Sequence, residues 1–412
     1  QISVLRILLL KTILEYKRNL HDQAESLLLQ KPQNLVLKIS MYQLKKKQIV
    51  KADLATCWAF FSSPYNLKKI TPTHMGFEVL TDIPEKMYEG LMIEYRVKPL
   101  LGIPTKWVSR ISKVEENKFL ADASHIEKCI NKKTVALMIP NLLGNICDWD
   151  KIRSLADKYN LLVIEDSADT LGATLNNYKT GYYSDMSITS FYGSHVINGA
   201  GNGGMLVTNS EEVTNKAKLL RSWGRSSSLF SESEAIENRF NVHLDGIQYD
   251  AKFVFEEIGY QLEPSEISAA FALVQLNKLD QNIKARQINF EKHTEFFKQY
   301  DKFFVLPKQN PNAETGWLAF PMIVKDDAPF NRTDLQIFLE KRNIQTRVVF
   351  TGNLLRQPGY KDIDCIGKAD DFINADNVMR GGILLALHHG LTDEMIDHVH
   401  SSCALFLEEL QK

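Results

Sequence analysis

Near Asp122 the hydrophobic pattern of this chain changes period. Upstream, Phe77 to Leu80, Leu91 to Lys98 and Trp107 to Val114 are strand-like. In the second of these Leu91, Ile93, Tyr95 and Val97 alternate with Met92, Glu94, Arg96 and Lys98, as in an antiparallel sheet. Downstream, continuous apolar runs alternate with helical spacing. Thr134 to Ile139 suits a buried parallel strand, and Asp148 precedes a helix carrying Ile152, Leu155, Ala156 and Tyr159. Leu161 to Ile164 is a second buried strand, ending in Glu165-Asp166. Ser187 to Phe191 and Met205 to Thr208 add two more. This alternation predicts an α/β sheet with helices on both faces. Ser265 is placed to cap a helix with Ile267, Ala270, Phe271 and Val274 on one face. From about residue 315, strands (Leu318 to Val324, Thr346 to Phe350) mix with helices, which suits a smaller α+β domain.

A length of 412 residues fits two or three domains. The expected division is an N-terminal helical segment (1–40), an antiparallel block (42–120) with a short helix at Ala55 to Phe61, a large α/β domain (121–305) and a small C-terminal domain (306–412). Charge follows the same border. Residues 1–120 carry 19 Lys/Arg against 11 Asp/Glu, and the remainder carries 30 against 39. The overall net charge of −1 argues against a general nucleic-acid binder, and Lys45-Lys46-Lys47 is the one basic run. The apolar stretch Ile2 to Leu10 is broken by Arg6 and falls short of the roughly 20 residues that span a bilayer. No basic leader with a small-residue cleavage site precedes it, so neither membrane insertion nor secretion is expected. The five cysteines include no C-x-x-C pair, which favours free thiols and a cytoplasmic location.

In open α/β sheets, ligands bind beyond the carboxyl ends of the strands. Asp166 sits at such an end. A carboxylate there can hold the proton of a heterocyclic nitrogen, the partner that pyridoxal phosphate needs, or it can serve as a loop acid or helix cap.

The segments VIEDSADTLGA (163–173), SDMSITSFYGSH (184–195) and GAGNGGMLVTN (199–209) resemble the DegT–StrS family of pyridoxal-phosphate enzymes. RSWGR (221–225), EIGYQLEPSEISAAFALVQL (257–276) and IQTRVVFTGNLLRQPGY (344–360) continue the match in order over about 121–412. The resemblance implies a type I (aspartate aminotransferase-like) fold, N-terminally truncated, acting on nucleotide-linked 4-keto-6-deoxy sugars. It also implies homodimers with shared sites. Family aminotransferases carry a Schiff-base lysine five residues after the serine equivalent to Ser190, and here that position is His195. The family's 3-dehydratases make the same replacement. They hold pyridoxal 5′-phosphate or pyridoxamine 5′-phosphate without a lysine and use the histidine as base. Asp169, GNLLRQP (352–358) and GWLAFP (316–321) also match that branch. Carried over, the roles are Asp166 for the pyridine nitrogen, Asp169 for another edge of the ring, Ser190 for phosphate and His195 for proton abstraction. Arg225 and Arg347 are candidates for the charges of the sugar nucleotide. The implied activity is 3-dehydration in deoxysugar or lipopolysaccharide biosynthesis. With no cysteine between Cys147 and Cys365, the cluster-free, GDP-sugar type of dehydratase is the nearer pattern.

Two further readings stay open. One is a sugar aminotransferase using an unusual lysine, Lys179 being nearest in sequence. The other is a non-catalytic binding module, because WAFFSSPYNLKKITP (58–72) and GIPTKWVSRI (102–111) resemble about half of a START-like (SRPBCC) helix-grip domain. Residues 1–120 lack the family's glycine-serine turn for the cofactor phosphate, so that cup is expected to be incomplete. Gln261 stands where the family commonly has asparagine.

Overall fold

The computed structural model describes residues 119–410 except 233 and, before them, residues 66, 69, 78–81, 92–97 and 105–110. The chain divides near residue 116, and the segment 30–116 forms a unit of its own. In it, β1 (Glu78–Val79), β2 (Met92–Val97) and β3 (Thr105–Arg110) form an antiparallel sheet in chain order, with Tyr95 opposite Trp107. Ile93, one of the alternating apolar residues, is buried. The helices expected over 1–40 and 55–61 lie outside the described residues.

In the other unit, which takes up the chain from Asn117, the first described helix begins after Asp122, where the period changes. The Asp122 carboxylate accepts from the Ser124 backbone N–H at 2.9 Å and caps α1 (Ala123–Cys129). β4 (Ala136–Pro140), β5 (Leu162–Asp166) and β6 (Met186–Ser190) then lie parallel, and β7 (Gly204–Thr208) closes the edge antiparallel to β6. Alternate residues of β4 serve opposite faces. Leu137 and Ile139 join Trp149, Ile152 and Ala156 of α2 (Trp149–Tyr159), whereas Met138 joins Ile164, Met186 and Val213 of α3 (Glu211–Arg221). Helices therefore cover both faces, as the alternation predicts.

One expectation about packing needs correction. The helix after Ser265 forms as α4 (Glu266–Leu276), but the Ser265 side chain makes no cap bond and no residue of the helix is buried. Ile267 is 79% exposed, and Phe271 and Val274 are exposed as well. Periodicity located an apolar face, but the described residues do not cover it. On β7, Met205 and Val207 are exposed in the same way.

α5 (Leu279–Lys298) leads into a second, all-antiparallel sheet ordered β8-β9-β11-β10: β8 is Phe304–Val305, β9 Ala319–Val324, β10 Arg347–Val348 and β11 Gly382–Ala386. α6 (Arg332–Glu340), α7 (Ile373–Gly381) and α8 (Asp393–Glu409) accompany it. Phe297, Trp317, Phe320, Phe330, Leu335 and Phe406 share its core. β10 is shorter than the run Thr346 to Phe350 suggests, because Phe350 turns to φ +43° and ends the extended backbone.

Candidate functional site

Three parallel strands end side by side. Pro140 is in register with Asp166, and Asp166 with Ile188, so Ser190 projects two residues further along. The loops leaving these ends carry the candidate residues. Asp166 is buried, and one oxygen accepts from the Ala168 backbone N–H at 3.2 Å. Ser190 is buried too, its hydroxyl oxygen accepting from the Tyr192 backbone N–H at 3.2 Å.

Asp169 and His195 meet. Nε2 of His195 lies 3.4 Å from Oδ1 of Asp169, and both side chains are nearly buried. The second Asp169 oxygen accepts from the Leu143 backbone N–H at 2.9 Å. A carboxylate is an acceptor in its ionised form, so an imidazole N–H on Nε2 is the complementary arrangement, leaving the lone pair on Nδ1. Nδ1 of His195 is buried and has no hydrogen-bond partner in the chain. The resemblance gave Asp169 a place at the cofactor ring; here its oxygens face Leu143 and His195.

Under this surface lies a network that the sequence reading did not single out. Asn141, the residue after β4, donates to Glu165 Oε1 at 2.9 Å and to the Ser167 hydroxyl at 3.2 Å. Its side-chain Oδ1 accepts from the Cys147 backbone N–H and the Trp149 indole N–H. Glu165 further accepts from the Ser167 hydroxyl at 2.6 Å and the Gly181 backbone N–H at 2.7 Å. Burial raises its pKa above the ordinary carboxylate value, opposed by these hydrogen bonds. A polar residue placed directly after a buried apolar run was the available signal.

Gly144 ties this loop to the second sheet. At φ +96° it brings the chain so close to Trp317 that a Cβ would sit 2.7 Å from the Trp317 Cα. The Leu318 backbone N–H donates to Leu143 O at 2.8 Å, and the Thr315 hydroxyl donates to Gly144 O at 2.6 Å.

Other candidates lie apart from this group. The Arg225 guanidinium is over the rings of Trp223, Phe253 and Phe255, with Nε buried and unpartnered. Arg347 is exposed on β10 and donates to Thr346 O at 2.8 Å. Lys179, in a short exposed hairpin strand, donates to the Gly172 carbonyl at 3.1 Å. Gln261 is exposed and bridges to the Ser222 backbone. Cys147 and Cys403 are buried free thiols, each pushed up to about 12 by burial.

Parallel strand ends carrying Asp166, Ser190 and His195 are what the motif order implies, and residues 110–404 match the DegT/DnrJ/EryC1/StrS aminotransferase family. The chain belongs to that family. It is 32% identical over 283 residues to the lipopolysaccharide biosynthesis protein RfbH of Salmonella typhimurium, covering 68% of this chain and 64% of that protein. To the dTDP-4-dehydro-2,6-dideoxy-D-glucose 3-dehydratase of Saccharopolyspora spinosa it is 33% identical, covering 71% and 64%. The chain thus spans 64% of the length of these two curated relatives. Among solved structures, the E. coli GDP-4-keto-6-deoxy-D-mannose-3-dehydratase with bound hydrated PLP superposes with a TM-score of 0.60 at 25% identity, over 70% of this chain and 72% of that one. The fold is therefore that of the PLP-dependent, aminotransferase-like enzymes. No helix among the described residues is long and apolar enough to cross a membrane.

Proposed function

We propose that this family member is a pyridoxal-phosphate-dependent 3-dehydratase of a nucleotide-linked 4-keto-6-deoxy sugar, serving deoxysugar or lipopolysaccharide biosynthesis. The observation that carries the reading is His195, which stands in the family's lysine position, is backed by Asp169 and has an orphaned buried Nδ1. Relatives named as 3-dehydratases of dTDP- and GDP-linked sugars support it and leave the nucleotide base open.

The residues at the strand ends suit pyridoxal phosphate. Asp166 is a buried carboxylate that would face a ring nitrogen, Ser190 a hydroxyl free to donate to phosphate, and His195 Nδ1 a polar atom without a protein partner. When bound, the cofactor supplies the electron sink that eases loss of a proton and then of the sugar's 3-hydroxyl. His195 takes that proton at Nδ1 and can hand it to the departing hydroxyl, which leaves as water. Asp169 stabilises the ring while it carries the extra charge and keeps Nε2 turned away from the reacting side. The glycine-serine turn missing from 1–120 concerns a segment that is mostly outside the described residues.

The same proposal assigns residues 121–305 to the cofactor domain and 306–412 to the small domain. It also makes the working unit a cytoplasmic homodimer, supported by the uncovered apolar face of α4. Incubating the purified chain with pyridoxamine phosphate and GDP- or dTDP-linked 4-keto-6-deoxyhexose tests the activity. Release of a 3-deoxy product is expected. Transfer of an amino group to C4 would instead establish the aminotransferase.

A further inference from the structure

We propose that Lys278, Asn282, Arg286, His388 and His389 form an oxyanion site that takes a phosphate or phosphomonoester group. The buried stripe of α5 is mostly polar, with Phe297 as its apolar end. Asn282, Arg286, Asn289 and His293 recur about one turn apart, and all are buried. Arg286 is 1% exposed; its Nη1 donates to the carbonyls of Trp317 and Leu318 at 3.1 and 3.0 Å. Its Nε is buried without a partner, and so are Nδ2 of Asn282 and Nδ1 of His389.

The two histidines are held beside this stripe. Asn289, one turn along from Arg286, donates to the His388 carbonyl at 3.1 Å, and the rings of His388 and His389 are 4.0 Å apart. Lys278 and His388 are exposed while Asn282 and Arg286 are buried, which gives the cluster a wet rim and a dry floor. Among the described residues, no carboxylate pairs with any of the five. Burial, with the charges of His388, Arg286 and Lys278 adding to it, lowers the pKa of His389 to about 4. A buried guanidinium with no carboxylate partner is costly unless a counter-charge is supplied. Water can satisfy a lone donor but cannot neutralise the cluster. Tetrahedral oxyanions match an arginine flanked by further N–H donors.

The test titrates inorganic phosphate into the full chain at constant ionic strength, with chloride as the balancing anion, and follows heat of binding and thermal midpoint. The parent should bind phosphate and gain stability over the chloride control. The double variant Lys278→Gln, His389→Gln, which spares the buried floor, should lose about tenfold in affinity, equivalent to ~1.4 kcal/mol. Indistinguishable phosphate and chloride curves would overturn the proposal, as would a variant that binds phosphate as tightly as the parent, since the anion would then sit elsewhere. A nucleoside diphosphate added as competitor separates the two sources. Displacement of phosphate assigns the site to a substrate's phosphates, and simultaneous binding assigns it to a free anion; both require the site to exist.

Discussion

Nε2 of His195 and Oδ1 of Asp169 lie 3.4 Å apart although the two residues leave different strands of the sheet. The contact fixes which nitrogen of the ring is committed to the protein and which is available. Under the proposed function it would make His195 a directed base rather than a solvated loop residue.

Replacing His195 by lysine restores the amine that family aminotransferases carry at this position. His195→Lys should hold pyridoxal phosphate covalently, so that borohydride fixes the cofactor to the chain and raises its mass accordingly. Dehydration should fall by about 10²–10⁴, the usual contribution of a positioned acid–base group. An unchanged mass and absorbance spectrum would remove His195 from the site.

Asp166→Asn exchanges a buried charge for a neutral amide of the same shape. The variant should retain less pyridoxal phosphate after dialysis than the parent, because an amide does not balance a pyridinium proton. Equal cofactor content in the two proteins would refute the assignment.

A methyl group at position 144 meets backbone, not a flexible side chain, and the position needs positive φ. Gly144→Ala should therefore cost about 1–3 kcal/mol in unfolding experiments. Strain there displaces Leu143, the donor to Asp169, so turnover should drop more than the folded fraction does.

Acid should destabilise the second sheet through a histidine pair. Nε2 of His293 faces the Ala386 carbonyl at 3.2 Å and must carry the hydrogen there; Nδ1 then accepts from His400 Nε2 at 3.0 Å. Burial, with His400 adding to it, holds the pKa of His293 down at about 4 against 6.5 in the unfolded chain. Between those values the unfolded state binds the extra proton, so stability falls as pH drops from 6.5 toward 4, by up to about 3 kcal/mol. Urea titrations at pH 7 and 4.5 should show the loss, and His293→Leu should flatten it.

Strand order and the position of Asp166 at a strand end were legible because buried runs such as Leu161 to Ile164 leave little choice of structure, and their ends are then fixed by topology. Ser190 and His195 are singled out only by the family resemblance. The partner of Asp169 was not legible. It depends on Leu143, whose backbone turns to φ +59° beside Gly144, and no side-chain pattern reports a backbone N–H. The fate of α4 was hidden for a different reason: its pattern demands a cover but cannot say whether the same chain supplies it. Arg225 and Arg347 are candidates by charge alone. The structure gives one an aromatic cage and the other an exposed edge strand.

The polar stripe of α5 has a consequence for how this region can vary. Greasy helix faces can slip or re-pack when a neighbour changes size, because one methyl group substitutes for another. Arg286, Asn289 and His293 instead each engage a particular carbonyl, at Trp317, Leu318, His388 or Ala386, all near the point where Ala319 of β9 pairs with Ala386 of β11. Such a helix is keyed to a single register, like a toothed bar in a lock. Any drift along its axis would strand several donors at once, so substitutions on this face should be tolerated in concert and rarely one at a time.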